Sequence, residues 1–435
     1  MPVTVASLLA ACVSAPLAAQ DDYERPPISY SDTAPDNRIE SLQRRLDSGA
    51  VRLAFDAKTG YLRSVLAELS VPPSSQTLVF SKTSLQQHRI APRNPRALYF
   101  NDDVYVGYVR TGNVLEVSVA DPALGTVFYS LEQTAVERPR FVRHTDDCLI
   151  CHGGSQTRGV PGHIIRSVYP DRSGQPIFSA GSHRVDHTTP FKHRWGGWYV
   201  TGSHGSDTHL GNITFASRPE GDVAEDTSGL NVTDVGDRFR ADGYLSSASD
   251  LVALLVLTHQ THAHNVITRA SFDARTALYR EAALNRELKE PAGNRWPSTD
   301  TILDGAAASL VECFLFCDEA ALKAPVKGTT DYAREFMDVG PKDGQGRSLR
   351  TLDLRTRLFR HPCSFLVSTA SFDALPEELL RNFWRRMDLV LSGGDRTGKF
   401  GHLSADDQAA IREILIATKP GVSAFWRKDE PAPAE

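Results

Sequence analysis

Methionine is scarce in this chain, cysteine is sparse, and the first 20 residues carry neither Lys nor Arg. After Met1 only Met337 and Met387 remain, so a thioether ligand to a metal has two possible sources. Six cysteines in 435 residues do not make a disulfide scaffold. A formal net charge of −5 gives no general affinity for nucleic acid. Past the opening residues, no stretch reaches the ~18 apolar residues that a membrane span requires. Internal repeats and low-complexity runs are missing too. What remains is 41% hydrophobic and 23% charged, the composition of a globular protein with a sizeable core. The length allows two or three domains, or one large one.

The cysteines that stand close together form one compact motif. Cys148, Cys151 and His152 read C-x-x-C-H, the attachment signature of c-type haem. Two thiols at that spacing reach the two vinyl groups of one porphyrin. The histidine after the second thiol then turns under the ring as the proximal iron ligand. A redox dithiol does not need that histidine. A zinc site needs a second ligand pair, and Cys313 with Cys317 is spaced C-x-x-x-C in a helical stretch, a poor complement. The expected cofactor is one covalent haem c, held by Cys148, Cys151 and His152. With Cys363, the later cysteines are an odd set, so at least one thiol stays free within the chain.

The motif resembles that of c-type cytochromes, a likeness confined to five residues. Longer stretches, ALYFNDDVYVG at 97–107, RWGGWYVTG at 194–202, HQT at 259–261 and FDALP at 372–376, resemble a group of large bacterial proteins with a single C-x-x-C-H. That resemblance spans roughly residues 75 to 425 and implies no particular reaction. Electron-carrier cytochromes c are mostly helical and carry the motif close to the N-terminus. Here it follows a strand-rich region, which argues against that small helical fold.

Residues 3–19 are apolar and small, and a polar run begins at Gln20. They predict a secretory signal over 1–19, or a lipoprotein signal over 1–11 with Cys12 acylated. Either way the expected location is periplasmic, soluble or lipid-anchored through Cys12. Export agrees with the cytochrome resemblance, because c-type attachment takes place on the outer face of the bacterial cytoplasmic membrane.

Residues 20–50 read as a linker or surface arm. Short alternating runs at 78–81, 97–100, 104–109, 114–120 and 126–131 predict an antiparallel sheet before the motif. Strands are also expected at 164–169, 197–201 and 212–216, completing a β-rich haem-binding region over 51–220. The remaining region, 221–435, is helical, with helices expected at 250–278, 300–322, 377–391 and 405–417, the last opened by Ser404. The fold class is therefore α+β, with the sheet in the N-terminal half carrying the haem loop and a helical C-terminal half packed on the same haem.

Of the fourteen histidines, His183, His187, His193, His204 and His209 fall in one loop-rich stretch. They either line a haem edge or hold a second metal, and their spacing matches no compact ligand motif. Arg166, Arg184 and Arg194 are expected propionate partners, since guanidinium pairs bidentately with carboxylate. The sixth iron position separates electron transfer from catalysis. Met337 and Met387 lie in helical stretches, so a histidine is expected instead, from His259, His262 and His264 on one apolar helix. His259 and His262 share a face, while His264 points about 160° from His262. His259 is the first choice for distal ligand and His264 the second.

The function expected first is a monohaem redox protein passing electrons to a partner protein in the cell envelope. One haem in so long a chain leaves room for two alternatives, a haem enzyme acting on a small oxidant and a periplasmic haem sensor.

Overall fold

The computed structural model describes residues 22–219 and 226–427. The expected signal, with Cys12, lies outside the described residues, as does the boundary at 220. In the first half, alternation of side chains builds β1 (Thr77–Val79), β2 (Arg96–Phe100), β3 (Val104–Val109), β4 (Val114–Asp121), β5 (Gly125–Glu132) and β6 (Phe141–His144). With β9 (Trp198–Tyr199) they form one seven-stranded sheet ordered β6-β5-β4-β3-β2-β1-β9. All its neighbours are antiparallel. A small second sheet pairs β7 (Arg166–Val168) with β8 (Ser182–Arg184). Asp121 turns the β4–β5 hairpin, its Oδ1 accepting from the N–H groups of Ala123 and Leu124. Gly125 then closes the turn at φ +71°, a conformation glycine adopts without a Cβ clash.

Register decides what each face of the sheet touches, because side chains alternate along a strand. Leu115, Val117 and Val119 of β4, with Val127 and Leu131 of β5, join one core with helices α1 (Arg38–Asp47) and α2 (Leu62–Glu68). Glu116, Ser118, Phe128 and Ser130 alternate with them and face the other way, toward the C-x-x-C-H segment.

Residues 22–50 are not a linker. Tyr23, Ile28, Tyr30, Ile39 and Leu42 are buried in the sheet's core. Tyr30 donates its hydroxyl to the Thr126 carbonyl at 2.9 Å, and Arg143 donates to the carbonyls of Tyr30 and Thr33. The apolar residues before α1 follow neither a helical nor a strand period, which is why composition alone reads as surface.

The second half is built on α4 (Leu251–Leu288), opened by Asp250. From Leu251 to Leu257 every side chain is buried, as expected for a helix apolar on all sides. Next come α5 (Pro297–Phe314), α6 (Tyr332–Asp338), α7 (Ala370–Asp373), α8 (Glu377–Leu391), α9 (Ala405–Thr418) and α10 (Val422–Arg427). One hydrophobic cluster runs from Val79, Phe100 and Tyr105 of the sheet through Leu254, Leu310 and Phe383 of the helices. The two halves therefore share a core in an α+β fold. Among the described residues no helix is long and apolar enough to cross a membrane.

Two expected elements give way to loop. At 212–216 the Asn212 backbone has φ +69°, and its side chain bonds both the N–H and the carbonyl of Val200 at 2.8 Å. It does with an amide side chain what a strand would do with its backbone. The helix expected to reach 322 stops at Phe314, since Phe316 and Asp318 turn to positive φ.

The connection after α5 carries a pH-sensitive carboxyl. Glu319 accepts from the Leu358 N–H at 2.9 Å, and burial pushes its pKa from 4.5 up to about 7. The folded value lies above the unfolded one, so the contribution is present below pH 4.5 and lost as pH rises through 7. Glu319→Gln keeps the Leu358 bond without that loss. Denaturant melts should show the variant gaining about 1–2 kcal/mol on wild type between pH 5 and pH 8. Parallel melts across that range would refute the assignment.

Candidate functional site

Cys148 caps, and His152 ends, a single helical turn, α3 (Leu149–His152). Leu149 anchors the turn in the core, while Ile150 is 81% exposed and Cys151 is also exposed. Positions i and i+3 of a helix lie on one face, so the turn brings Cys148 and Cys151 to the same side.

The His152 ring is held from behind. Its Nδ1 lies 2.9 Å from the Gly162 carbonyl, so Nδ1–H must donate and Nε2 keeps its lone pair. Gly162 N–H donates in return to the His152 carbonyl at 2.8 Å, and Thr157 Oγ1 donates to the same carbonyl. Burial holds the imidazole below its usual pKa, favouring the neutral form. Among the described residues no hydrogen bond is made to Nε2. A neutral imidazole with Nδ1–H committed to a carbonyl is the state in which histidine binds a metal through Nε2.

The surrounding residues fix this loop in place. Asn265 of α4 accepts from the His163 N–H at 2.9 Å and donates to the His163 carbonyl at 2.7 Å. At Gly153 a Cβ would lie 2.4 Å from the Tyr23 hydroxyl, so any larger residue there would push the Tyr23 side chain aside. On the sheet, the His152 ring packs 5.0 Å from Phe128, and Phe128 lies 6.3 Å from His163. His163 stands 4.1 Å from Tyr105, and its ring nitrogens bond Ser118 and Thr126. His163 is a satisfied core histidine, carried on the loop before β7 and bonded to side chains of β4 and β5.

The electrostatics separate the readings of C-x-x-C. Burial pushes the Cys148 thiol up to about 11, and the negative charges of Glu116 and Asp147 add to that. A redox dithiol needs the opposite shift, toward thiolate. The four-cysteine alternative fails on geometry, because Cys313 groups with His187 and His262, and the Cys317 thiol points to the Lys399 carbonyl.

The other expected residues are scattered. His259 bonds Ser364 Oγ at 2.8 Å through Nε2 and lies 3.4 Å from His187 through Nδ1. Its ring stacks 4.1 Å from Phe316. His264 bonds the Asp102 carbonyl at 2.8 Å. Neither ring contacts the motif, so the choice of His259 or His264 as second axial ligand finds no geometric support. Met387 is buried in the helical core, with Met337 packed at its margin. The loop histidines divide: His183 stacks on His193, His204 pairs with His209, and His187 joins α4.

Arg194 is 3% exposed and donates to the carbonyls of Thr189 and His187, so it is structural. Arg184 faces Asp186, and Arg166 bonds Ser182. Four further arginines, Arg25, Arg158, Arg269 and Arg280, line a cavity of about 470 Å³ beside Tyr23 and Gly159. They come from three distant segments and leave no local pattern.

No family model, curated protein or solved structure matches the chain.

Proposed function

We propose that this chain is an exported monohaem redox protein of the c-type cytochrome kind. The haem is bound through thioethers to Cys148 and Cys151, His152 is its proximal ligand, and electrons pass to a partner in the cell envelope. The observation that carries the reading is the His152–Gly162 bond, which leaves Nε2 neutral and available directly beside the C-x-x-C pair. A bound haem would supply one-electron exchange between ferrous and ferric iron.

The chain's own residues set how that exchange is tuned. The Gly162 carbonyl draws on Nδ1–H, which makes Nε2 a stronger donor and favours ferric iron. Phe128 backs the imidazole and limits its tilt. Exposed Ile150 and Cys151 leave one edge of the motif at the surface, where a partner can approach. Arg158 and Arg280, in the cavity next to the motif loop, supply positive charge for propionates.

The test is a spectrum of protein purified from the envelope fraction, in both oxidation states. The expected result is one haem per chain with a thioether-type pyridine haemochrome, cycling reversibly at an electrode. Haem lost on acid extraction would refute attachment. Rapid turnover of added peroxide would replace the carrier role by an enzyme.

A further inference from the structure

We propose that His187, His262 and Cys313 form a second metal site, for one transition-metal ion of the zinc or copper class. Their donor atoms all lie within 4.8 Å of one another. Each residue comes from a different element: His187 from the loop after β8, His262 from α4 and Cys313 from α5. One thiolate and two imidazoles is the donor set that such ions select.

The cluster is built rather than incidental. The His187 backbone is pinned by Arg194 and by the Ala320 N–H, each donating to its carbonyl at 3.0 Å. α4 and α5 pack along one another, which fixes the approach of His262 to Cys313. Cys313 is buried, and among the described residues its sulfur has no hydrogen-bond partner. Asp186 stands beside the three, its Oδ2 3.8 Å from His262 Nδ1, while Thr188 holds its other oxygen. One thiolate and one nearby carboxylate offset the two charges of a divalent ion, with Arg184 adding one positive charge 3.5 Å from the same Asp186 oxygen.

Donors around a zinc-sized ion stand on the order of 3.5 Å apart, given bonds of about 2.0–2.3 Å. Donors up to 4.8 Å apart must close by about an ångström to reach that spacing. Binding forms the metal–sulfur bond and releases the thiol proton to solvent. No redox step is involved. The site is separate from the haem reading, and iron is counted independently of the second metal.

The experiment uses the full-length, haem-loaded protein, stripped with a chelator and then dialysed against limiting Zn²⁺ or Cu²⁺. Metal analysis should give one zinc or copper per chain whatever the iron content. X-ray absorption at that metal's edge should show one sulfur at about 2.3 Å and nitrogen at about 2.0–2.1 Å. Cys313→Ser should remove the sulfur shell, and His262→Gln should weaken binding at least tenfold. Cys317→Ser, a buried thiol outside the cluster, should change neither. The edge that carries the sulfur shell identifies the ion. The proposal is overturned by a wild-type shell without sulfur, or by wild type retaining no more metal than Cys313→Ser. The wild-type spectrum decides even if a variant fails to fold.

Discussion

Replacing Cys148 and Cys151 together by serine is expected to abolish covalent haem completely. Both thioethers go, while His152 and its bond to Gly162 remain. The double variant can therefore still hold haem loosely through Nε2, and native colour is a poor readout. Acid extraction of the denatured chain is the informative one. Wild type should keep all of its haem, either single variant should keep it through one thioether, and the double variant should release it all. Each lost thioether leaves a free vinyl, so the reduced α-band should move stepwise to longer wavelength. Haem that stays covalently bound to the double variant would place the attachment elsewhere and end the cytochrome reading.

The largest effect on stability is expected at Asp250, which is fully buried. Its Oδ1 accepts from the N–H groups of Val252 and Ala253 at 2.9 and 3.0 Å, capping α4. Its Oδ2 accepts from the N–H groups of Thr329 and Thr330 and from the Thr330 hydroxyl at 2.7, 2.8 and 3.0 Å. Asp250→Ala leaves four N–H donors facing a void, while the Thr330 hydroxyl can turn to the Ser74 carbonyl at 3.1 Å. One lost cap costs about 1 kcal/mol and each orphaned buried donor about 1–3 kcal/mol, less than additively. A total of about 4 kcal/mol is expected, read as a lower midpoint in urea. Gly328→Ala should act in the same direction, because a Cβ there would lie 2.4 Å from the Asp250 carboxylate. A loss under about 1 kcal/mol in Asp250→Ala would mean that water replaces the carboxylate.

Much of the fold is written in local signals. The strand expected at 104–109 and the helix at 377–391 have those limits in the structure, because the Asn101-Asp102 turn and Pro376 set their starts within a few residues. Ser404 opens α9 with a capping box, as a Ser followed by an acidic N3 residue predicts. The motif itself needs no fold to be recognised. The destination of a side chain is another matter. His259, His262 and His264 sit within six residues, yet they end beside Ser364, Asp186 and the Asp102 carbonyl respectively. Those partners come from three remote segments. The period of a helix gives the angle between two side chains but does not name what stands opposite each. For the same reason Cys313, which reads from the sequence as half of a close cysteine pair, meets histidines instead.

The N-terminal arm bears on the order of events during synthesis. Its anchors are far down the chain: Tyr30 waits for Thr126, 96 residues later, and for Arg143, 113 residues later. A segment that is made before its partners thus settles only after they appear, since long-range contacts form slowly. Until it does, Gly153 has no Tyr23 over it, and Cys148 has not acquired its final burial. Cys148, half-buried in the folded chain, is therefore easiest to reach between the appearance of residue 152 and the docking of the arm, whereas Cys151 stays exposed throughout. Shortening the arm would lengthen that interval without touching the motif.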